Sequence, residues 1–171
     1  MVIVSTGEAL CRLLMALACG ALIGLNRDLH KKSAGFRTFS LVSVGSAVVA
    51  IAITQTSSDA NAVSRVVQGV LTGIGFLGAG VILHQPTSSR VTGLTTAAAI
   101  WLTAGLGLAA GLGLYRLCAA GLVVALVILI IGRPVEGFLE KVFPAKRGKA
   151  GAGSKADPGD SGPRTEGDEE S

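Results

Sequence analysis

The chain has 171 residues, of which 50% are hydrophobic and 15% charged, with a formal net charge of +4 and a mean hydropathy of +0.61. That balance excludes a water-soluble domain of ordinary composition, where charged residues make up about a quarter of the total. It also argues against nucleic acid as a partner, because the basic residues flank apolar runs and do not share a face with interleaved aromatics.

Five apolar runs follow one another, at about 9–25, 39–54, 63–83, 94–110 and 114–131. At 1.5 Å rise per residue, most of them reach roughly 25–31 Å, close to the hydrocarbon core of a bilayer at about 30 Å. The second run is the shortest, and its helix is expected to begin near Phe36. The third carries Gly69-Val-Leu-Thr-Gly-Ile-Gly-Phe-Leu-Gly-Ala-Gly80, in which Gly69, Gly73, Gly75, Gly78 and Gly80 expose backbone. In water each such glycine would weaken a helix by roughly 1 kcal/mol relative to alanine. In lipid the backbone still closes its own hydrogen bonds, and the missing side chains admit a neighbouring helix. This run therefore reads as a transmembrane helix built for tight packing, Gly20 and Gly24 give the first run a similar surface, and Trp101 is expected to pack in the fourth.

Only Gly111-Leu-Gly113 separates the fourth run from the fifth, which leaves two readings: a tight helical hairpin, or one long run broken at glycine. Cys11, Cys19 and Cys118 all lie inside apolar runs and read as small buried hydrophobes. After the fifth run, Val135, Phe138, Leu139, Val142 and Phe143 fall on one helical face among charged neighbours. That spacing predicts a short amphipathic helix at the membrane surface. Residues 144–171 contain no large aliphatic or aromatic side chain, and they are expected to be disordered. The expected organisation is a transmembrane domain over 1–132, an amphipathic cytoplasmic helix over 133–143 and a cytoplasmic tail over 144–171.

Charge placement sets the expected orientation. Arg27, Lys31, Lys32 and Arg37 follow the first run, Arg90 follows the third, and Arg133, Lys141, Lys146, Arg147 and Lys149 follow the fifth. The opposite side holds only Arg12, Arg65 and Arg116. Positive residues are retained on the cytoplasmic side, so the amino terminus is expected outside and the carboxyl terminus in the cytoplasm. The fold expected is all-α, a polytopic bundle of about five transmembrane helices.

Chemistry in such a chain resides in the polar residues forced toward the membrane. Glu8 and Arg12 are four apart at the outer end of the first run and can neutralise each other. At the inner end lie Asn26-Arg27-Asp28 and Gly35-Phe36-Arg37-Thr38, which combine the ordinary flanking charge with a candidate surface for an anion, a lipid headgroup or a partner carboxylate. Arg90 and the hydroxyls of Thr95 and Thr96 open the fourth run, where they can cap the helix and where its amino terminus favours anions. The candidate interaction cluster is therefore Arg27, Asp28, Arg37, Thr38, Arg90, Thr95 and Thr96. The sequence presents no Ser/His/Asp or Cys/His set and no phosphate-cradling loop. Its acidic residues in the membrane unit, Glu8, Asp28 and Asp59, all lie near interfaces. No catalytic, cofactor or metal site is expected.

Taken together, Leu17-Ala-Cys-Gly-Ala-Leu-Ile-Gly-Leu25 with Asn26-Arg27-Asp28, Gly35-Phe-Arg37-Thr38, Gly73-Ile-Gly-Phe-Leu-Gly-Ala-Gly-Val-Ile82 and Arg90-Val-Thr-Gly-Leu-Thr-Thr-Ala-Ala-Ala-Ile-Trp101 resemble the MgtC/SapB family of bacterial membrane proteins. The resemblance covers roughly 9–132 and implies a multi-pass protein of the bacterial cytoplasmic (inner) membrane. Family members are associated with growth under magnesium limitation, survival inside host cells and restraint of the membrane ATP synthase. Virulence-associated members typically carry Asn where this chain has Thr95, Cys where it has Leu102, and Glu at the positions of Asn26 and Gln85, so the chain is read as a general member. The resemblance thus implies a non-enzymatic modulator of other membrane proteins in adaptation to magnesium limitation or stress. The alternative is a small oligomeric ion transporter or channel, for magnesium or another ion. Expected partners are the lipid bilayer, other membrane proteins and a second copy of the chain.

Overall fold

A computed structural model describes residues 4–83 and 92–142. Among these residues the chain is all-helical: α1 spans Thr6–Leu29, α2 Phe36–Thr56, α3 Ala60–Leu83, α4 Leu94–Gly111 and α5 Tyr115–Val142. Each contains a stretch long and apolar enough to cross a membrane. Most of the helices outrun their apolar runs at one or both ends. At the start of α1 the Ser5 hydroxyl accepts from the Glu8 backbone N–H at 3.2 Å.

Gly113 decides the junction between α4 and α5. Its φ is +79°, a left-handed value that glycine takes without a Cβ penalty. The Gly113 N–H donates to Ala110 O at 3.0 Å and the Leu114 N–H to Ala109 O at 2.8 Å. This is a Schellman stop, so α4 and α5 form a hairpin. At the other side of α5 the helix runs on through Pro134 to Val142. The stretch expected as a separate amphipathic helix at 133–143 is therefore continuous with α5, since Pro134 removes one backbone donor without ending the helix. Phe143 and the tail 144–171 lie outside the described residues.

The centre of the bundle is α4. About 56% of its apolar window is buried, against 6% for α3 and 11% for α5. Its small residues let it touch all four other helices. Its own Ile100 and Thr103 are fully buried, as are Ile23 of α1 and Phe39 of α2. Thr103 keeps its hydroxyl satisfied by donating to Ala99 O at 2.7 Å, one turn back.

The close helix contacts fall on α2, and this corrects the expectation placed on the third run. A Cβ added at Gly20 would lie 2.5 Å from Phe39 O, and one at Gly24 would lie 2.6 Å from Phe36 Cα. From the other side, Cβ atoms at Gly107 and Gly111 would collide with the carbonyls of Ser43 and Ala47. Two glycine pairs, each four residues apart, thus bring α1 and α4 onto the backbone of α2. By contrast, a Cβ added at Gly69, Gly73, Gly75 or Gly80 would meet no other atom within 4 Å among the described residues, and one at Gly78 would make ordinary contact with Ala97. The glycines of α3 are not what packs the described bundle.

Gly107→Ala is expected to lower stability by about 1–3 kcal/mol, because the obstacle is backbone and cannot rotate away. Gly73→Ala should change it by no more than about 0.5 kcal/mol. Reversible unfolding of the detergent-solubilised protein, followed by circular dichroism, measures both.

Candidate functional site

Two buried arginines mark the two ends of the bundle. Arg12, on α1, forms an ion pair with Glu8, and its guanidinium donates to Gly111 O at 2.8 Å. It therefore joins α1 to the α4–α5 hairpin, and the i,i+4 pairing expected between Glu8 and Arg12 is present. At the opposite end Arg27 is only 5% exposed, and its Nη2 donates to Thr96 Oγ1 at 2.5 Å. Arg27 closes α1 and Thr96 lies in the first turn of α4, so this bond joins segments 69 residues apart.

The loop between α1 and α2 presents its charges in a defined way. Lys31 N–H donates to Asp28 O at 2.9 Å and Lys32 N–H to Arg27 O at 3.1 Å, a Schellman arrangement in which Lys31 holds φ +51°. His30 Nδ1 lies 2.6 Å from Asn26 O and belongs to the same cap. The Asp28 carboxylate crosses to α2 and accepts from the Phe36 N–H at 2.8 Å. A Cβ at Gly35 would overlap that carboxylate, so glycine is what lets Asp28 reach the helix amino terminus. A negative charge there also complements the helix dipole. Asp28 is therefore a capping residue.

Of the predicted cluster, Arg27, Thr95 and Thr96 share one cavity of about 250 Å³, which is also lined by Lys31, Lys32, Ser33, Thr92 and Gly93. Arg37 and Thr38 are exposed on the first turn of α2 and do not line it. Arg90 lies outside the described residues, as do His84 and Gln85. The sequence reading missed Lys31, Lys32 and Thr92 as members of this group. Their only signal was proximity to Arg27 and Thr96, whose pairing is invisible in a linear chain.

A second cavity, of about 220 Å³, is apolar and lies between α1, α4 and α5, where Thr95 and Leu102 face Ala125, Ile128 and Leu129. Two positions at which the chain departs from the virulence-associated pattern thus share one cleft. Trp101, next to Leu102, is 49% exposed. A third, wider groove of about 420 Å³ runs between α2 and α3, lined by Leu41, Gly45, Val49, Gly69, Gly73 and Leu77.

The thiols behave as the sequence suggested at two of three positions. Cys19 and Cys118 are completely buried with their sulfurs 3.4 Å apart, and Cys118 donates to Leu106 O at 3.4 Å. Cys11 is instead exposed on the outside of α1. Among the described residues no three His, Cys, Asp or Glu side chains gather as a metal site.

The family model described as "MgtC family" matches residues 13–138. Protein SrpB of Synechococcus elongatus is 49% identical over 121 residues, which cover 64% of this chain and 66% of that protein. YhiD of Escherichia coli K12, whose name makes it a candidate magnesium transporter, is 41% identical over 132 residues, 72% of this chain and 60% of YhiD. Protein MgtC of Salmonella typhimurium is 41% identical over 114 residues, 67% of this chain and 48% of that protein. The chain therefore spans about half to two thirds of the length of these curated relatives. No solved structure matches it at a significant level.

The double variant of Arg27→Met and Thr96→Val should be less destabilised than the sum of the single variants, with a coupling of about 0.5–3 kcal/mol in unfolding measurements. Asp28→Ala should cost about 0.5–2 kcal/mol in the same assay, and Asp28→Asn, which keeps an acceptor oxygen, should restore most of it.

Proposed function

The chain belongs to the MgtC family, and on that premise we propose that this multi-pass protein of the bacterial cytoplasmic membrane is a non-enzymatic modulator of other membrane proteins. The observation that carries the reading is the open surface of α3. At Gly69, Gly73, Gly75 and Gly80 there is open space for a Cβ among the described residues, and Gly69 and Gly73 border an apolar groove with α2. In lipid, an exposed small-residue surface gains little from burial alone but permits close backbone contact with another helix. A transmembrane helix of a second membrane protein fits that surface, entering as a helix into a groove. The family's association with the membrane ATP synthase makes that complex the first partner to probe. The positive-inside count supports an orientation with the Arg27 end in the cytoplasm and the amino terminus outside.

The competing reading is a magnesium transporter, which the name of YhiD favours. The polar cavity at the Arg27 end is lined by Arg27, Lys31 and Lys32, a set that repels a divalent cation. That observation weighs toward the modulator.

Purified protein in liposomes is expected to move no magnesium, read by an entrapped fluorescent indicator. Crosslinking in native membranes should recover it in a larger complex, and Gly73→Leu should remove that complex while leaving abundance and unfolding unchanged. Magnesium flux that Gly73→Leu abolishes would establish the transporter instead.

A further inference from the structure

The cavity at the Arg27 end has a donor chemistry that helix contact through α3 does not require. Arg27, nine-tenths buried, lies beside Lys31, Lys32, Ser33, Thr92, Thr95 and Thr96, and no carboxylate lines the cavity among the described residues. The amino terminus of α4 opens onto it. The residue before that helix, Gly93, has φ +93° and supplies no side-chain cap. Its backbone lies so close to α3 that an added Cβ would be 2.9 Å from Val81 O. The first backbone donors of α4 are therefore left without a side-chain partner from Gly93, and the helix dipole places partial positive charge there. An independent sign comes from Thr92: its Oγ1 is shielded from solvent and has no hydrogen-bond partner among the described residues.

From these features we propose that this cavity binds a phosphate-class oxyanion, as free phosphate or as the headgroup of an anionic phospholipid. Guanidinium, two ammonium groups, hydroxyls and a helix amino terminus whose Gly93 supplies no side-chain cap are the donor types that recognise phosphate oxygens. At about 250 Å³ the cavity far exceeds the roughly 10–15 Å³ that one water needs. A dianion gains most from so many positive groups, which favours phosphate over a single carboxylate. Val81 of α3 also lines this cavity, but the groove beside α3 shares no lining residue with it, so anion loading and partner binding are read at separate residues.

The decisive variant is Lys31→Gly with Lys32→Gln. It removes two charges from exposed side chains, and glycine suits the left-handed backbone at position 31, so the fold should survive. Inorganic phosphate is titrated into the full-length protein in an uncharged detergent, with melting temperature as the readout. In parallel, the protein is placed in nanodiscs of phosphatidylcholine with and without phosphatidylglycerol, and retained lipid is measured by native mass spectrometry. A saturable rise in melting temperature with phosphate, weakened about tenfold or more in the double variant, supports the free-anion source. Selective retention of phosphatidylglycerol by the wild type, lost in the double variant, supports the headgroup source. If neither probe binds, or if the double variant binds as tightly as the wild type while melting normally without ligand, the proposal fails. Thr92→Val gives a milder check, expected to weaken binding without moving the unliganded melting temperature.

Discussion

Everything in this bundle depends on how closely α1 and α4 approach the backbone of α2. Lipid tails are as apolar as leucine, so burying a leucine against another helix stabilises little in a bilayer. What remains is dispersion, and dispersion needs near contact. The pairs Gly20/Gly24 and Gly107/Gly111 supply that contact by laying α1 and α4 onto the carbonyls of Phe39, Ser43 and Ala47. Ser40, Ser43 and Ser46 on α2 are buried in the same region and keep that helix slim. Only with α1 and α4 held this near can Arg27 reach Thr96 and Arg12 reach Gly111. The polar joints are thus consequences of the glycine contacts.

Much of this was legible in the chain, and the unreadable part has a physical cause. Hydropathy located all five helices because a bilayer demands a fixed length of apolar residues. The start of α2 at Phe36 was visible for the same reason. Glycine spacing was a weaker guide. It pointed to Gly20 and Gly24, which do meet α2, but it gave most weight to α3, where most glycines have open space beside them among the described residues. A glycine stripe looks the same in sequence whether it meets its own chain or another molecule. Gly107 went unnoticed, and Gly111 was read only as part of a joint, because the alanines around them blur any stripe. The hairpin after α4 stayed ambiguous because the sequence does not say which of Gly111 and Gly113 takes the left-handed turn.

The interaction cluster divides along similar lines. Arg27, Thr95 and Thr96 come together, whereas Asp28 turns away to cap α2 and Arg37 and Thr38 face outward. Sequence neighbours on a loop need not share a site, since the Schellman turn at Lys31 sends successive side chains in different directions. The lysines became legible as site residues only once α4 was seen to abut the end of α1. The glycines also separate into two roles. Those of α1 and α4 are used inside the fold, and those of α3 mostly have open space beside them among the described residues.

The two buried arginines show why the two ends of the bundle are not equivalent. Arg12 meets the carboxyl end of α4, where exposed carbonyls favour a cation, and Glu8 balances its charge. Arg27 also gains from the carboxyl end of its own helix, α1. Its guanidinium, however, reaches the amino end of α4, where the dipole opposes a cation, and Lys31 and Lys32 stand beside the same cavity. A structure that needed only to brace two helices could place a neutral residue there, as Thr103 does by bonding within α4. Collecting positive groups against a positive helix end raises the energy of the empty cavity and increases the gain when an anion enters. The end of the bundle where α1 hands over to α2 is therefore built with a bias toward negative charge, and the end held by Arg12 and Glu8 is built neutral.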